Sequence, residues 1–114
     1  MEPNLQDLVD RLVKFRDERD WEQFHTAKNL ALSVSIEAAE LLEHFQWTTE
    51  DQELSREKTD SISQEIADIL IYILLLSEKL GIDPLKAAHA KIQKNEDKYP
   101  ADMVKGKSYK YNQY

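Results

Sequence analysis

An all-α fold, an antiparallel four-helix bundle assembled as an oligomer, is what this sequence predicts. Glycine and proline are scarce, at two and three residues in 114, and each sits at a plausible helix boundary, which favours long helices over a many-turned sheet. Apolar residues recur at the helical period through most of the chain. The run ILIYILLL at residues 69–76 is apolar on every face, and a helix that is apolar all round is buried all round. Four helices alone would leave part of that run wet, so another subunit is expected to cover it, with a homodimer as the minimum.

The elements follow in order. Asn4 is a candidate N-cap for a first helix over residues 5–19, with Leu5, Leu8, Leu12 and Phe15 on one stripe. DWEQFH, residues 20–25, breaks the period and reads as an aromatic loop. Thr26 is the candidate cap of a second helix over residues 27–45. WTTEDQELS, residues 47–55, is a polar connection with room for one helical turn. Ser55 or a neighbour starts a third helix that runs to Leu80, in which Ile62, Ile66, Ile69, Ile73, Leu76 and Leu80 keep the period; Gly81 is its expected stop. Asp83 followed by Pro84, a cap and a first-turn proline, opens a fourth helix to residue 98, and Pro100 ends it. The tail ADMVKGKSYKYNQY is basic and tyrosine-rich, a candidate mobile segment. No repeat or linker marks a second domain, so residues 1–114 read as one domain with a tail from about residue 100.

Lys and Arg number 15 against 22 Asp and Glu, a formal net charge of −7. An acidic chain suits cations and argues against a nucleic-acid polymer or an anionic membrane as partner. The absence of cysteine excludes disulfides, thiolate metal sites and a Cys nucleophile, and fits a reducing compartment. MEPNLQDLVDRL at the start has no basic stretch followed by an apolar one, and the longest apolar run, eight residues, is too short to span a membrane. The expected location is the cytoplasm.

Two acidic pairs stand out: Glu37 with Glu40 on the second helix, and Glu65 with Asp68 on the third. Residues three apart share a helix face, so facing helices would bring four carboxylates to one point. Spacing alone is weak, because acidic residues are common here; Glu50 with Glu53 is another such pair, and the usual reading is a solvated face. Position carries more weight. Glu65 and Asp68 lie in ISQEIADILIYILLL, and Glu37 and Glu40 in LALSVSIEAAELL, among apolar and small neighbours where charge is costly unless paired or coordinated. No Lys or Arg lies between Asn29 and Gln46. Four carboxylates without a counter-charge repel and take up protons, which a divalent cation resolves; an all-oxygen ligand set suits Mg²⁺, with Mn²⁺ as a substitute. A di-iron bundle needs Glu-x-x-His on two helices; neither His44 nor His89 has a Glu three residues before it, and Glu22 with His25 falls in the loop.

With these residues in view, the chain resembles the all-α NTP pyrophosphohydrolases, in the MazG-like and dCTP-pyrophosphatase branch. That family's pattern is E-x-x-E, a gap, then E-x-x-D; here EAAE at 37–40 and EIAD at 65–68 are separated by 24 residues. RDERDWEQFHTAKNLALSVSIEAAELLEHFQW (16–47), EIADILIYILLLSEKLGID (65–83) and KIQKNEDKYP (91–100) look like the branch's successive blocks. The resemblance implies a bundle of that type and hydrolysis of a (deoxy)nucleoside triphosphate to monophosphate and pyrophosphate. It also implies Mg²⁺ bound by Glu37, Glu40, Glu65 and Asp68, with Glu37 or Glu40 orienting or deprotonating the water. It further implies an oligomer, with the branch leaning to a homotetramer, in which a neighbouring subunit commonly completes the site. The implied role is house-cleaning of the dNTP pool, with dCTP or a modified dNTP as substrate.

The nucleotide contacts are a shortlist. Trp21, His25 and Trp47 bracket the second helix and can stack on a base, His25 and Trp47 being favoured by the resemblance; Phe24 reads as a staple to the core. Tyr72, four residues after Asp68, shares its stripe and reads equally well as a core tyrosine. Asn29, in the first turn of the second helix, is a candidate for the base or a phosphate, or a surface residue. Lys91, Lys94, Asn95 and Lys98 share one side of the fourth helix, either a phosphate contact or a solvated basic face; the resemblance favours Asn95 and Lys98. Lys107, Lys110 and Tyr111 are candidates to close over the site of the same or another subunit. His44 and His89 read as ordinary helix residues. The competing functions are a non-enzymatic acidic helical interaction protein, which binds no metal through these carboxylates, and a phosphohydrolase that releases orthophosphate.

Overall fold

The computed structural model describes residues 4–106. The elements are α1 (Leu5–Glu18), a 3₁₀ turn (Glu22–Phe24), α2 (Ala27–Glu43), α3 (Arg56–Leu80), α4 (Pro84–Lys98) and a short α5 (Ala101–Val104), with no strand among the described residues. Lys107, Lys110 and Tyr111 lie outside the described residues.

Local chemistry sets the helix starts. Asn4 Oδ1 accepts the Asp7 N–H at 2.9 Å, Thr26 Oγ1 that of Asn29 at 3.1 Å, Ser55 Oγ that of Lys58 at 3.0 Å, and Asp83 Oδ1 that of Lys86 at 3.1 Å. Each bond satisfies an N–H that the first helical turn leaves without a partner. Gly81 ends α3 at φ 68°, with its N–H turned back to the carbonyls of Ser77 and Glu78. At the end of α1 the left-handed position falls to an aspartate, Asp20, at φ 53°. The Asp20 N–H returns to Asp17 O at 3.1 Å and the Trp21 N–H to Arg16 O at 3.1 Å, the paired bonds of a Schellman ending. The Phe15 and Trp21 rings close that ending edge to face, centroids 5.7 Å apart.

Three local expectations shift. α2 stops at Glu43 rather than residue 45, because the chain tightens to i→i+3 bonds at His44, Phe45 and Gln46, and Thr48 caps Phe45 O with its hydroxyl at 2.9 Å. Residues 47–55 hold no helix, only a turn in which the Gln52 N–H returns to Thr49 O at 3.1 Å, whereas a 3₁₀ turn forms in the aromatic loop before α2, where the Asn29 amide donates to Phe24 O at 3.2 Å. α5 stands within the segment expected to be only a tail.

The chain divides into two compact units, one through Gly81 and one from Ile82. In the first, α1 and α2 both pack on α3. α2 runs antiparallel to α3, since His44 meets Glu65 while Glu37, two turns earlier, reaches Asp68 as well. Leu30, Ile62, Leu74 and Leu75 are the buried apolar centre. Ile66, Leu70 and Ile73, at the helical period on α3, and Leu32 and Ile36 on α2, stay largely exposed. Phe24 is 62% exposed in the single chain, so it is not the buried staple that the sequence suggests. The second unit holds α4 and α5. No helix among the described residues is long and apolar enough to cross a membrane.

Candidate active site

α2 and α3 bring carboxylates together where their apolar faces meet. Glu37, Glu65 and Asp68, all half-buried, each offer one oxygen within 4.8 Å of the others. Glu40, one turn beyond Glu37 and exposed, shares a hydrogen bond with it. That bond, then burial, then repulsion from Glu40 and Asp68 push the Glu37 carboxyl up to about 7. Glu37 Oε2 and Glu65 Oε2 are buried with no hydrogen-bond partner. His44 stands at this cluster, with Nε2 3.6 Å from Glu65 Oε1. The sequence reading left His44 as an ordinary helix residue, although it lies four residues after Glu40, on the same stripe.

Two buried carboxylate oxygens without a donor, beside a third carboxylate, form a site short of positive charge. Among the described residues, no lysine or arginine makes an ion pair with Glu37, Glu65 or Asp68. The donor set is hard oxygen, so the residues present fit a divalent cation of the Mg²⁺ or Mn²⁺ kind.

A cavity of about 420 Å³ opens beside the cluster. α1 supplies Leu8, Arg11, Leu12, Phe15 and Arg16 to its wall, the aromatic turn supplies Trp21 and His25, and α3 supplies Asp68, Ile71, Tyr72 and Leu75. Asp68 therefore belongs both to the carboxylate cluster and to the cavity wall. His25 Nδ1 is buried and has no partner. Burial, and then the Arg16 guanidinium with Lys79 behind it, disfavour a proton on His25, against the opposing pull of Glu22. The cavity thus offers aromatic faces, one neutral imidazole and one phenol beside an acidic cluster.

Of the shortlisted residues, Trp21, His25 and Tyr72 come together in this cavity with Asp68. Asn29 is exposed, its amide engaged on Phe24 O. Trp47 follows α2 at 87% exposure and takes no part in the cavity wall. Asn95 and Lys98 lie on α4 in the second unit; the Lys98 ammonium sits 5.9 Å from the Tyr99 ring centroid. The contribution of α1, above all Arg16, is absent from the sequence reading. The signal was there: Arg16 is four residues after Leu12, a charge on an apolar stripe.

The profile of the MazG-like family matches residues 32–113. dCTP pyrophosphatase 1 of Homo sapiens is 36% identical over 116 residues, spanning 98% of this chain and 68% of that protein. dCTP pyrophosphatase 1 of Bos taurus is 36% identical over 114 residues, spanning 96% of this chain and 68% of that protein. Among solved structures, a pyrophosphatase from Archaeoglobus fulgidus aligns with a TM-score of 0.73 at 44% identity, covering 88% of this chain and 95% of that one.

Proposed function

This chain belongs to the MazG-like family and is a nucleoside triphosphate pyrophosphohydrolase, and on that premise we propose that it cleaves dCTP, or a modified dNTP close to it, to monophosphate and pyrophosphate with Mg²⁺. The observation that carries this reading is the double membership of Asp68, which joins a carboxylate cluster to a cavity of aromatic walls. A triphosphate needs its negative charge met where the base is also held, and these two features adjoin.

Glu37, Glu40, Glu65 and Asp68 are the residues that would hold the cation, and the metal when bound would neutralise phosphate charge. Glu37 or Glu40 orients the attacking water and accepts its proton; help of this kind is typically worth about 10²–10⁴-fold. Trp21 and His25 stack on or edge the base, and Tyr72 faces the sugar or base beside Asp68. Asn29 and Trp47 add contacts to the base or phosphates, Trp47 by way of a neighbouring subunit, and on α4 Asn95 and Lys98 are the phosphate candidates that the family resemblance favours. The assembled enzyme is an oligomer of antiparallel four-helix bundles, at least a dimer and by family habit a tetramer. House-cleaning of the cytoplasmic dNTP pool is the role that fits.

The test is a panel of canonical and modified dNTPs with Mg²⁺, scored for intact pyrophosphate. Deoxycytidine compounds are expected to lead, and Glu40→Gln with an intact fold is expected to lose at least about a hundredfold in kcat. Full activity and metal affinity in Glu40→Gln would show that the carboxylate assignment is wrong. An inert protein whose carboxylates bind no metal would point instead to an acidic interaction protein.

A further inference from the structure

We propose that Arg16 is a positioning residue for the base-binding end of the site: it ties the turn that carries Trp21 and His25 to the C-terminal end of α3 and so fixes both rings on the cavity wall. The inference rests on the reading of that cavity as the base site.

Arg16 is only 6% exposed, and it continues the apolar stripe of Leu8 and Leu12 on α1. A charge in such a place is costly unless it is paired. Its Nη1 donates to Glu78 Oε2 at 2.8 Å, reaching α3 across 62 residues of sequence. Its Nε donates to Asp17 Oδ1 at 3.0 Å, and its Nη2 stands 3.9 Å from Glu22 Oε2 at the start of the 3₁₀ turn. Burial works against the charge, and the hydrogen bonds to Asp17 and Glu78 outweigh it. The backbone of the same residue takes part, since Arg16 O accepts the Trp21 N–H at 3.1 Å. The turn then closes on itself, with the Phe24 N–H bonded to Trp21 O at 2.9 Å and the His25 N–H to Glu22 O at 3.0 Å.

An apolar side chain at position 16 would fill much of the same volume, and the carboxylates of Asp17, Glu22 and Glu78 are exposed enough to stay solvated without their partner. What it cannot do is reach Glu78 and Glu22 together and set where the turn sits between α1 and α3. The rigid fork of a guanidinium does this, and lysine lacks it. Trp21, His25 and Arg16 line one cavity with Asp68, whereas the carboxylate cluster is built on α2 and α3. Loosening the turn should therefore weaken nucleotide binding and leave the chemical step alone.

Two variants of the full chain test this, Arg16→Met and Glu78→Gln. The second leaves a neutral acceptor of the same shape and decides the matter should the first fail to fold. Amide hydrogen exchange at Trp21, Phe24 and His25, without nucleotide, is expected to quicken about tenfold while exchange in α2 and α3 holds. With dCTP and Mg²⁺, KM is expected to rise about tenfold at little-changed kcat, and Arg16→Lys should fall between variant and wild type. Wild-type exchange in the turn of folded variants, equal quickening throughout α2 and α3, or a fall in kcat at constant KM would each overturn the proposal. Should the wild-type protein release no pyrophosphate, the functional reading fails and the base-site role with it, while the exchange measurement still decides whether Arg16 holds the turn.

Discussion

At the scale of single residues, the site is a contest between carboxylates and their surroundings. Glu37 keeps its proton up to about 7 in the metal-free chain, against an ordinary value of 4.5. Between those two values the folded state binds a proton that the unfolded state has released, so stability falls as pH rises through the window. Thermal melts of the metal-free protein should therefore show Tm declining from about pH 5 to about pH 7. Metal binding must displace that proton, so Mg²⁺ affinity should grow over the same range and proton release should accompany it in calorimetry. A Tm and an affinity both flat across the range would contradict the coupling of Glu37 to its neighbours. Glu37, Glu65 and Asp68 were legible in the sequence because the three-residue step of a helix face and the apolar context are both local. Arg16 and His44 sit at legible places on their helix stripes, but their partners were not legible. The partner of Arg16, Glu78, is 62 residues away, and His44 gains its place only when α2 lies against α3.

At the scale of elements, caps explain why the helix starts were readable from the sequence. Asn4, Thr26, Ser55 and Asp83 each bond an N–H three residues ahead, a chemistry that no distant contact decides. The ends were harder. α2 is stopped by a tightening of its last turn and by the Thr48 hydroxyl, and α5 is four residues long, too short for periodicity to register. Gly81 is the exception, a stop readable from its type. A Cβ placed there would meet nothing within 4 Å, so Gly81→Ala tests conformation alone. At φ 68° the substitution is expected to cost about 1 kcal/mol, read as a Tm several degrees lower with KM unchanged. No loss of stability would mean that α3 ends by some other means.

At the scale of the whole molecule, the single chain buries little. Among the described residues Leu30, Ile62, Leu74 and Leu75 are the buried apolar ones, while Ile66, Leu70 and Ile73 form a partly open stripe on α3. The excess of apolar sequence at residues 69–76 was legible from composition. An oligomer is the expected state, and Leu70→Glu with Ile73→Glu, both on that open stripe, should shift gel filtration toward the monomer. A wild-type monomer at micromolar concentration would contradict this. The central claim, a metal-dependent pyrophosphohydrolase site where the Asp68 cluster meets the aromatic cavity, is tested most directly by ³¹P NMR of dCTP incubated with the purified protein. With Mg²⁺ the account predicts dCMP and intact pyrophosphate, and silence once the metal is chelated or Asp68 is replaced by Asn. Orthophosphate with dCDP, or turnover indifferent to chelation and to Asp68→Asn, would contradict it.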